Sequence, residues 1–274
     1  MNEEDIYVYT QDGLRLSGKI FSPEKPKAAI VIVHGFGEHI ERYKAFAENF
    51  AAQDIACIGV DLRGHGRSQG TKGHAPSIDH LLSDIEELLK AARSDYTSIP
   101  LFLFGHSMGG GLVLNYAITK NTNELAGVIA SAPWVRLAFE PPAWKIKLGK
   151  FASKWFPRLR QHNELDPKDL SKDQKVVEEY ENDPLINHKI SARLYTIMTR
   201  AGEETLSTAA DMKISPLIFH GDTDRITSHK ASQKVAKLSN GVFQRVEGGY
   251  HEPHQDKERQ QVYVGISDYI ADRL

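Results

Sequence analysis

The chain has 274 residues, the length of two domains of about 150 residues each or of one large core with an insertion. Hydrophobic residues make up 41% and charged residues 26%, a composition that excludes a disordered polymer, a coiled coil and a fibre. The formal net charge of -2 excludes the strongly basic domain that binds nucleic acid, so no nucleic-acid partner is expected.

The chain carries no pattern that predicts membrane insertion or export. Its longest apolar run, Ala28–Val33, is far shorter than the roughly 20 residues of a membrane-spanning helix. The acidic segment 1–5 differs from the positively charged start of a signal peptide. The single cysteine, Cys57, permits no internal disulfide and is predicted to be a small buried strand residue. We therefore expect a cytoplasmic protein.

Short runs rich in Val, Ile and Phe alternate along the chain with segments of helical periodicity. The predicted strands span residues 6–10, 14–21, 28–33, 55–60, 101–104, 125–131, 216–220 and 242–246. The predicted helices span residues 42–52, 78–93, 108–119, 191–210, 228–238 and 257–271. Because strand–helix alternation is typical of parallel sheets with right-handed crossovers, the sequence predicts an α/β fold with a mostly parallel, eight-stranded sheet flanked by helices.

Residues 133–205 interrupt this alternation. The segment holds all three tryptophans and many lysines, and it contains no convincing strand. We interpret it as a helical cap inserted into a core that residues 1–132 and 206–274 form. Functional loops in such folds follow the carboxyl ends of the parallel strands, so we expect the site residues in those loops.

The sharpest local motif is Gly105-His-Ser107-Met-Gly109, which follows the apolar run 101–104 and precedes an apolar helical segment. A serine between glycines at a strand-to-helix turn is the arrangement of a nucleophile elbow, in which the tight turn projects the hydroxyl above the sheet. The flanking strand and helix make a purely structural glycine-rich turn the weaker interpretation. Ser107 is therefore the predicted nucleophile.

A serine hydroxyl needs a base to take its proton and an acid to orient that base. In this type of fold the acid and then the histidine follow the serine along the chain. The loop after residues 216–220 offers Asp224 as the acid, with Asp222 as its main rival, because the sequence does not settle so small an offset. The loop after residues 242–246 offers His251 as the base.

Ester cleavage by serine passes through a tetrahedral oxyanion, which N–H donors must stabilise. One predicted donor is the backbone N–H of Met108, directly after the nucleophile, and the other is that of Phe36 in the loop 34–39. This loop contains glycines but lacks the lysine of a phosphate-binding loop, so a phosphate site is the weaker alternative. The histidines show no regular metal-ligand spacing, and neither a metal nor an organic cofactor is expected.

Together with the segments 61–68 and 180–184, these motifs resemble the α/β-hydrolase superfamily and, within it, the monoacylglycerol lipase family, also described as lysophospholipase-like or serine aminopeptidase S33-type hydrolases. The most family-specific part is the loop 34–39 followed by Arg42 and Tyr43. The resemblance implies an α/β-hydrolase fold with a cap. It also implies a catalytic triad and an oxyanion hole at the residues already named: Ser107, Asp224, His251, Phe36 and Met108.

The resemblance further implies a pocket for the glycerol end of the substrate. The positions that match this pocket are Glu38, Arg42, His254 and Tyr180. A carboxylate, a guanidinium and an imidazole are groups that hydrogen-bond a diol well. The alternatives are an ion pair at a helix start for Glu38 and Arg42, and a packing role for Tyr180.

In function, the resemblance implies a carboxylic ester hydrolase that cleaves monoacylglycerols, small lipids, to a fatty acid and glycerol. Two alternatives use the same fold: a lysophospholipase or general carboxylesterase with the same triad, and a non-catalytic homologue that only binds a ligand. The negative charge of Glu38 disfavours a head group that contains phosphate. The complete triad disfavours a non-catalytic protein.

Residues 144–155 form an amphipathic pattern, with apolar residues on one side and lysines elsewhere: Trp144, Leu148, Phe151 and Trp155 are the apolar ones. The favoured interpretation is that this apolar side packs on the core and roofs the acyl tunnel. The alternative is transient contact with an anionic membrane surface, which would make the protein peripheral at the membrane.

Overall fold

The computed structural model describes all residues from 1 to 274. The strands of its main sheet are β1 (Asn2–Tyr9), β2 (Arg15–Ser22), β3 (Ala28–Val33), β4 (Ile55–Val60), β5 (Leu101–His106), β6 (Leu125–Ser131), β9 (Leu217–Gly221) and β10 (Val242–Val246). A separate pair of short strands is β7 (Arg160–His162) and β8 (Lys189–Ser191). The helices are α1 (Lys44–Ala51), α2 (Ile78–Asp95), α3 (Met108–Thr119), α4 (Ala143–Trp155), α5 (Gln174–Asn182), α6 (Ala192–Thr208), α7 (His229–Leu238) and α8 (Arg259–Ala271).

The strand order in the main sheet is β1-β2-β4-β3-β5-β6-β9-β10. β1 and β2 form a hairpin, β2 pairs antiparallel with β4, and all the other pairings are parallel. The helices between the parallel strands provide the long crossovers that this pairing needs. The predicted α/β fold with a mostly parallel, eight-stranded sheet is thus confirmed.

Side chains on the two faces of the sheet belong to two separate apolar clusters. In β3, Ala29 and Val31 belong to the cluster that includes α2, α3, α6 and α7, whereas Ile30 belongs to the cluster with α1 and α8. Both faces are therefore covered, which explains why central strands such as β3 and β4 carry apolar side chains on both faces rather than at alternate positions. Cys57 in β4 is one of these buried strand residues, as predicted.

Residues 133–205 connect β6 to β9, which lie side by side and pair in parallel. The segment contains α4, α5 and most of α6, and residue 205 falls inside α6. It also contains the antiparallel pair of β7 and β8, in which Arg160 lies opposite Ser191. The prediction that this segment has no strand is wrong, because such short strands leave no periodic pattern in the sequence.

The apolar side of α4 faces solvent. Its large apolar side chains are more than half exposed: Trp144 (63%), Leu148 (56%), Phe151 (56%) and Trp155 (62%). The buried positions of the helix are the small residues Ala152 and Ser153. The favoured prediction that the apolar side packs on the core is therefore wrong, because α4 packs through small side chains and leaves the large ones uncovered. None of the helices combines the length and the apolar composition that crossing a bilayer requires.

Candidate active site

Three polar side chains converge above the carboxyl ends of the parallel strands, where the loops of such sheets form functional sites. Ser107 directly follows β5, Asp224 lies in the loop after β9, and His251 lies in the loop after β10. Oγ of Ser107 is 2.8 Å from Nε2 of His251, and Nδ1 of His251 is 2.8 Å from Oδ2 of Asp224. The structure therefore joins these side chains in one chain of hydrogen bonds.

The turn that carries Ser107 is strained and tightly held. Ser107 has a left-handed backbone conformation, with φ of 51° and ψ of -113°, and its N–H donates to the carbonyl of Ser131 at 2.9 Å. A Cβ atom at Gly105 would lie 2.3 Å from the carbonyl oxygen of Gly109, and one at Gly109 would lie 2.0 Å from that of Val33. Only glycine fits these two positions, and the close backbone packing keeps the serine in its strained conformation.

The carboxylate of Asp224 is buried and saturated with hydrogen bonds. Oδ1 accepts from the backbone N–H groups of Ile226 and Thr227, at 2.7 and 3.0 Å. Besides the bond from His251, Oδ2 accepts from the Thr227 hydroxyl at 2.9 Å and from Nε2 of His220 at 3.0 Å. Burial raises the pKa of Asp224, but the charge and hydrogen bonds of the two histidines outweigh it and bring the pKa well below its ordinary value. Asp224 is therefore held as an anion.

The structure brings Asp224, rather than its rival Asp222, to the histidine. Asp222 accepts from the N–H of Gly248 at 2.7 Å and from Nε of Arg245 at 2.8 Å. Arg245 belongs to the edge strand β10 and Gly248 to the loop after it. Asp222 therefore fastens this loop and takes no part in the hydrogen-bonded chain to Ser107.

Two opposing effects set the pKa of His251, which is buried. Burial disfavours the imidazolium, whereas the carboxylate of Asp224 stabilises it, and the net effect raises the pKa. The hydrogen-bond partners assign the tautomer, because Nδ1–H donates to Asp224 and leaves Nε2 to accept from the hydroxyl of Ser107. The ring is therefore in the tautomer that proton abstraction from serine requires.

Two backbone N–H groups lie in the segments predicted to form the oxyanion hole. That of Met108 is at the first position of α3, where a helix offers no internal acceptor. That of Phe36 makes no hydrogen bond to another backbone group. The loop around Phe36 is fixed at Gly35, whose N–H donates to Glu38 and whose carbonyl accepts from Nδ1 of His34. Both N–H groups are thus available to a ligand on a preorganised backbone.

Ser107 and His251 line one cavity, together with apolar and polar side chains. Its apolar lining consists mainly of Phe36, Trp134, Leu137, Phe139, Leu165, Leu170, Ile190, Tyr195 and Ile226. Its polar lining includes Glu38, Arg42, Tyr180 and Glu252. No group of three or more His, Cys, Asp or Glu side chains is arranged here or elsewhere to hold a metal ion. The cavity therefore offers one bound molecule both an apolar wall and a set of polar groups.

The polar groups of the cavity form one ion-paired cluster, which we call the head cluster: Glu38, Arg42 and Glu252. The guanidinium of Arg42 donates to Glu38 at 2.7 Å and makes two hydrogen bonds to the carboxylate of Glu252, at 2.7 and 2.8 Å. All three side chains are buried. The ring of Tyr180 lies beside Arg42, with 5.1 Å between the guanidinium carbon and the ring centroid. The structure thus brings three predicted residues together and adds Glu252.

The structure does not bring His254 to the cavity. Its imidazole is fully buried, lies parallel to the ring of Tyr43 at a centroid distance of 5.3 Å, and packs against Phe104 and His106. Burial lowers its pKa to about 3, so the ring is neutral. The structure thus separates His254 from the predicted head pocket: the loop after β10 presents Glu252 to the cavity, and His254 lies in the core.

The sequence reasoning missed two residues of the site. Glu252 has no signal of its own beyond its position directly after His251. His220 is a buried histidine within the otherwise apolar strand β9, and its Nδ1 atom is 2.8 Å from Oγ of Ser232. A polar residue in an apolar strand is the sequence signal that marks it, because a buried imidazole needs hydrogen-bond partners.

Comparisons with known proteins cover most of the chain. The family model described as serine aminopeptidase, S33 matches residues 24–258. A monoacylglycerol lipase of Mycolicibacterium smegmatis is 29% identical over 96% of this chain and 95% of its own. An uncharacterized abhydrolase domain-containing protein of Dictyostelium discoideum is 33% identical over 97% of this chain, which spans 28% of that longer protein. The crystal structure of a Paleococcus ferrophilus monoacylglycerol lipase matches with a TM-score of 0.84 and 29% identity, covering 94% of this chain and 99% of the other.

Proposed function

The chain belongs to the serine aminopeptidase S33 family of α/β-hydrolases, and on that premise we propose that it is a monoacylglycerol lipase, a carboxylic ester hydrolase that releases a fatty acid and glycerol. One observation carries the proposal: the hydrogen-bonded Ser107, His251 and Asp224 adjoin a cavity with an apolar wall and a buried polar cluster. A monoacylglycerol has the matching parts, an acyl chain and a head with two hydroxyls. The similarity to named monoacylglycerol lipases supports the same substrate class.

In the mechanism that we infer, His251 takes the hydroxyl proton of Ser107 as Oγ attacks the ester carbonyl, and Asp224 stabilises the imidazolium. The N–H groups of Phe36 and Met108 stabilise the negative charge that develops on the carbonyl oxygen. When the tetrahedral intermediate collapses, His251 gives the proton to the leaving glycerol oxygen, and the acyl group stays on the serine. A water molecule then attacks the acyl-enzyme with the same base, and the fatty acid leaves.

We assign residues 133–205 as a cap that covers the acyl chain. Most of the apolar lining of the cavity comes from this segment, including Leu137, Leu165 and Tyr195. Residues 1–132 and 206–274 form the core, which supplies the triad, the oxyanion loop and the head cluster. In this division the core performs the chemistry, and the cap selects the acyl chain by shape and apolar contact.

We further propose that the protein is cytoplasmic, with its one cysteine reduced, and that α4 makes transient contact with a membrane surface. The large apolar side chains of α4 are uncovered, and its lysines favour an anionic lipid surface. These basic residues are Lys145, Lys147, Lys150 and Lys154. Contact of this kind places the cap next to a lipid substrate that partitions into the membrane.

The proposed function is tested by fatty acid release from lauroylglycerol, lauroyl lysophosphatidylcholine and trilaurin, with Ser107→Ala as the blank. We expect a strong preference for the monoacylglycerol that the substitution abolishes. The two carboxylates of the head cluster repel a phosphate, and a triacylglycerol has no free hydroxyl for this cluster to bind.

Two other outcomes would replace the proposal. Equal or faster hydrolysis of the lysophospholipid would make the protein a lysophospholipase or a general carboxylesterase with the same triad. Absence of both hydrolysis and labelling of Ser107 by a fluorophosphonate probe would leave the non-catalytic, ligand-binding alternative.

A further inference from the structure

The two carboxylates of the head cluster differ in how much of their hydrogen-bonding capacity the protein itself uses. An ionised carboxylate offers about four acceptor sites. Oε1 of Glu38 accepts from the N–H of Gly35 at 2.5 Å and from the hydroxyl of Tyr43 at 2.9 Å, while Oε2 accepts from Arg42. Glu38 thus directs most of its acceptor sites to its own chain, including the backbone next to the oxyanion donor Phe36.

Glu252 keeps more of its capacity for a ligand. Each of its carboxylate oxygens accepts one hydrogen bond, and both bonds come from Arg42. Arg42 in turn donates three hydrogen bonds to the two carboxylates, although a guanidinium has five N–H groups. The Arg42–Glu252 pair therefore keeps acceptor and donor sites that no hydrogen bond within the chain uses, and both residues line the cavity together with Ser107. A diol, whose hydroxyls donate and accept, can use both kinds.

The two carboxylates also differ in the direction in which their surroundings shift the pKa. Burial, together with the nearby charge of Glu252, raises the pKa of Glu38 in spite of Arg42. Burial acts on Glu252 as well, but its ion pair and two hydrogen bonds with Arg42 outweigh that effect and lower the pKa. The ion pair with Arg42 thus favours the charged form of Glu252.

We propose that Glu252 is the specificity-determining acceptor for the hydroxyls of the substrate head, with Arg42 beside it, and that Glu38 is a positioning residue that fixes the oxyanion loop. This inference rests on the proposed function, because it names the residue that recognises the head in the same site. It differs from the expectation that Glu38, Arg42 and His254 form the head pocket. Since Glu252 directly follows His251, one loop both binds the head and protonates its leaving oxygen.

The test compares two esters that form the same acyl-enzyme and differ only in the head: lauroylglycerol, which has free hydroxyls, and ethyl laurate, which has none. The ratio of their kcat/KM values isolates the contribution of the head to acylation. In Glu252→Gln this ratio should fall about tenfold or more, because a charged acceptor is replaced by a neutral amide. In Glu38→Gln both kcat/KM values should fall together and the ratio should stay within about threefold, because the oxyanion loop serves both esters.

Glu247→Gln is the matched control. Glu247 is exposed, lies in the same loop and undergoes the same change of charge, so its ratio should equal that of the wild type. If the melting temperature shows that Glu252→Gln is unfolded, Glu252→Asp replaces it. That variant keeps the charge but shortens the side chain by one methylene, and it should show the same fall in the ratio.

Each result decides between the assignments. A ratio that survives substitution of Glu252, or one that collapses only in Glu38→Gln, overturns the assignment of Glu252 and leaves the proposed function in place. A wild type that hydrolyses both lauroyl esters equally well overturns the proposed function and this inference together. A fall of the ratio in Glu252→Gln, with Ser107 still labelled by a fluorophosphonate, supports the inference.

Discussion

The end of the cavity that holds Ser107, His251 and Asp224, which we call the triad end, and the outer side of α4 differ in how their side chains are paired. At the triad end, the buried carboxylate of Asp224 accepts five hydrogen bonds from the protein. On the outer side of α4, Trp144 and Trp155 are more than half exposed to water. In the first region, groups of the same chain hydrogen-bond the buried polar atoms. In the second region, large apolar side chains are not covered by other residues.

This difference has a physical basis. A buried charge without partners costs several kcal/mol, so a catalytic acid is stable inside a protein only when hydrogen bonds surround it. The same hydrogen bonds hold the acid in the orientation that catalysis requires, before the substrate arrives. An uncovered apolar cluster has the opposite meaning, because it marks a surface whose partner lies outside the chain. In the proposed function, saturated hydrogen bonding marks the groups that carry out the reaction, and uncovered apolar surface marks the side of α4 that we propose contacts a membrane.

The largest expected effect comes from removing the charge at the triad end. Asp224→Asn keeps the shape of the side chain but no longer stabilises the imidazolium or the productive tautomer of His251. We expect kcat to fall about 10,000-fold, the loss typical of serine triads. The matched control is Asp222→Asn, because Asp222 bonds to Arg245 and Gly248 instead, and its kcat should stay within about threefold of the wild type. Similar losses in the two variants would contradict the choice of Asp224 as the acid.

A smaller loss is expected at His220, which donates to the same oxygen of Asp224 as His251 does. His220→Leu removes this donor and leaves more negative charge on the carboxylate to act on His251. The pKa of His251 already lies above the ordinary 6.5 because Asp224 outweighs burial, and it should rise further. Since the base must be neutral, kcat/KM falls as the pH drops through this pKa, so the acidic limb of the pH profile should move to higher pH. We expect kcat to fall roughly tenfold to a hundredfold.

His220→Gln distinguishes positioning from packing. Its amide N–H can donate to Asp224, and its amide oxygen can accept from the hydroxyl of Ser232, the present partner of Nδ1. This variant should therefore recover most of kcat and the acidic limb of the wild type. An acidic limb that stays in place in both variants, with only the melting temperature lowered, would mean that His220 merely fills space in β9.

Sequence patterns predict those parts of the structure whose conformation depends on one short segment of the chain. Apolar runs with both faces covered are long enough to predict the strands of the main sheet, and the loops after them contain Ser107, Asp224 and His251. Strands β7 and β8, with 3 residues each, have no such run and escape prediction. The sequence therefore predicts the strands of the fold from their apolar runs, and it predicts the triad residues from the motifs in the loops after these strands.

Details within one loop or on one side of a helix depend on packing instead. The chain has no periodicity directly after β10, so the sequence does not show that Glu252 rather than His254 reaches the cavity. The contact of His254 with Tyr43 in the core decides that question. The spacing of apolar residues in α4 likewise predicts that the helix has an apolar side. Tertiary packing, however, buries the side that carries Ala152 and Ser153.

The smallest expected effect on the folded protein comes from the unpaired side of α4. The double substitution Trp144→Ser/Trp155→Ser should change the free energy of unfolding by about 0.5 kcal/mol or less, because both rings are largely exposed. In co-sedimentation with phosphatidylglycerol vesicles, the same variant should bind about fivefold less, because two aromatic anchors are lost. Tyr7→Ser/Tyr9→Ser is the matched control, since it removes two exposed aromatic rings from the edge strand β1. Equal vesicle binding by the two double variants would mean that the uncovered side of α4 has no lipid partner.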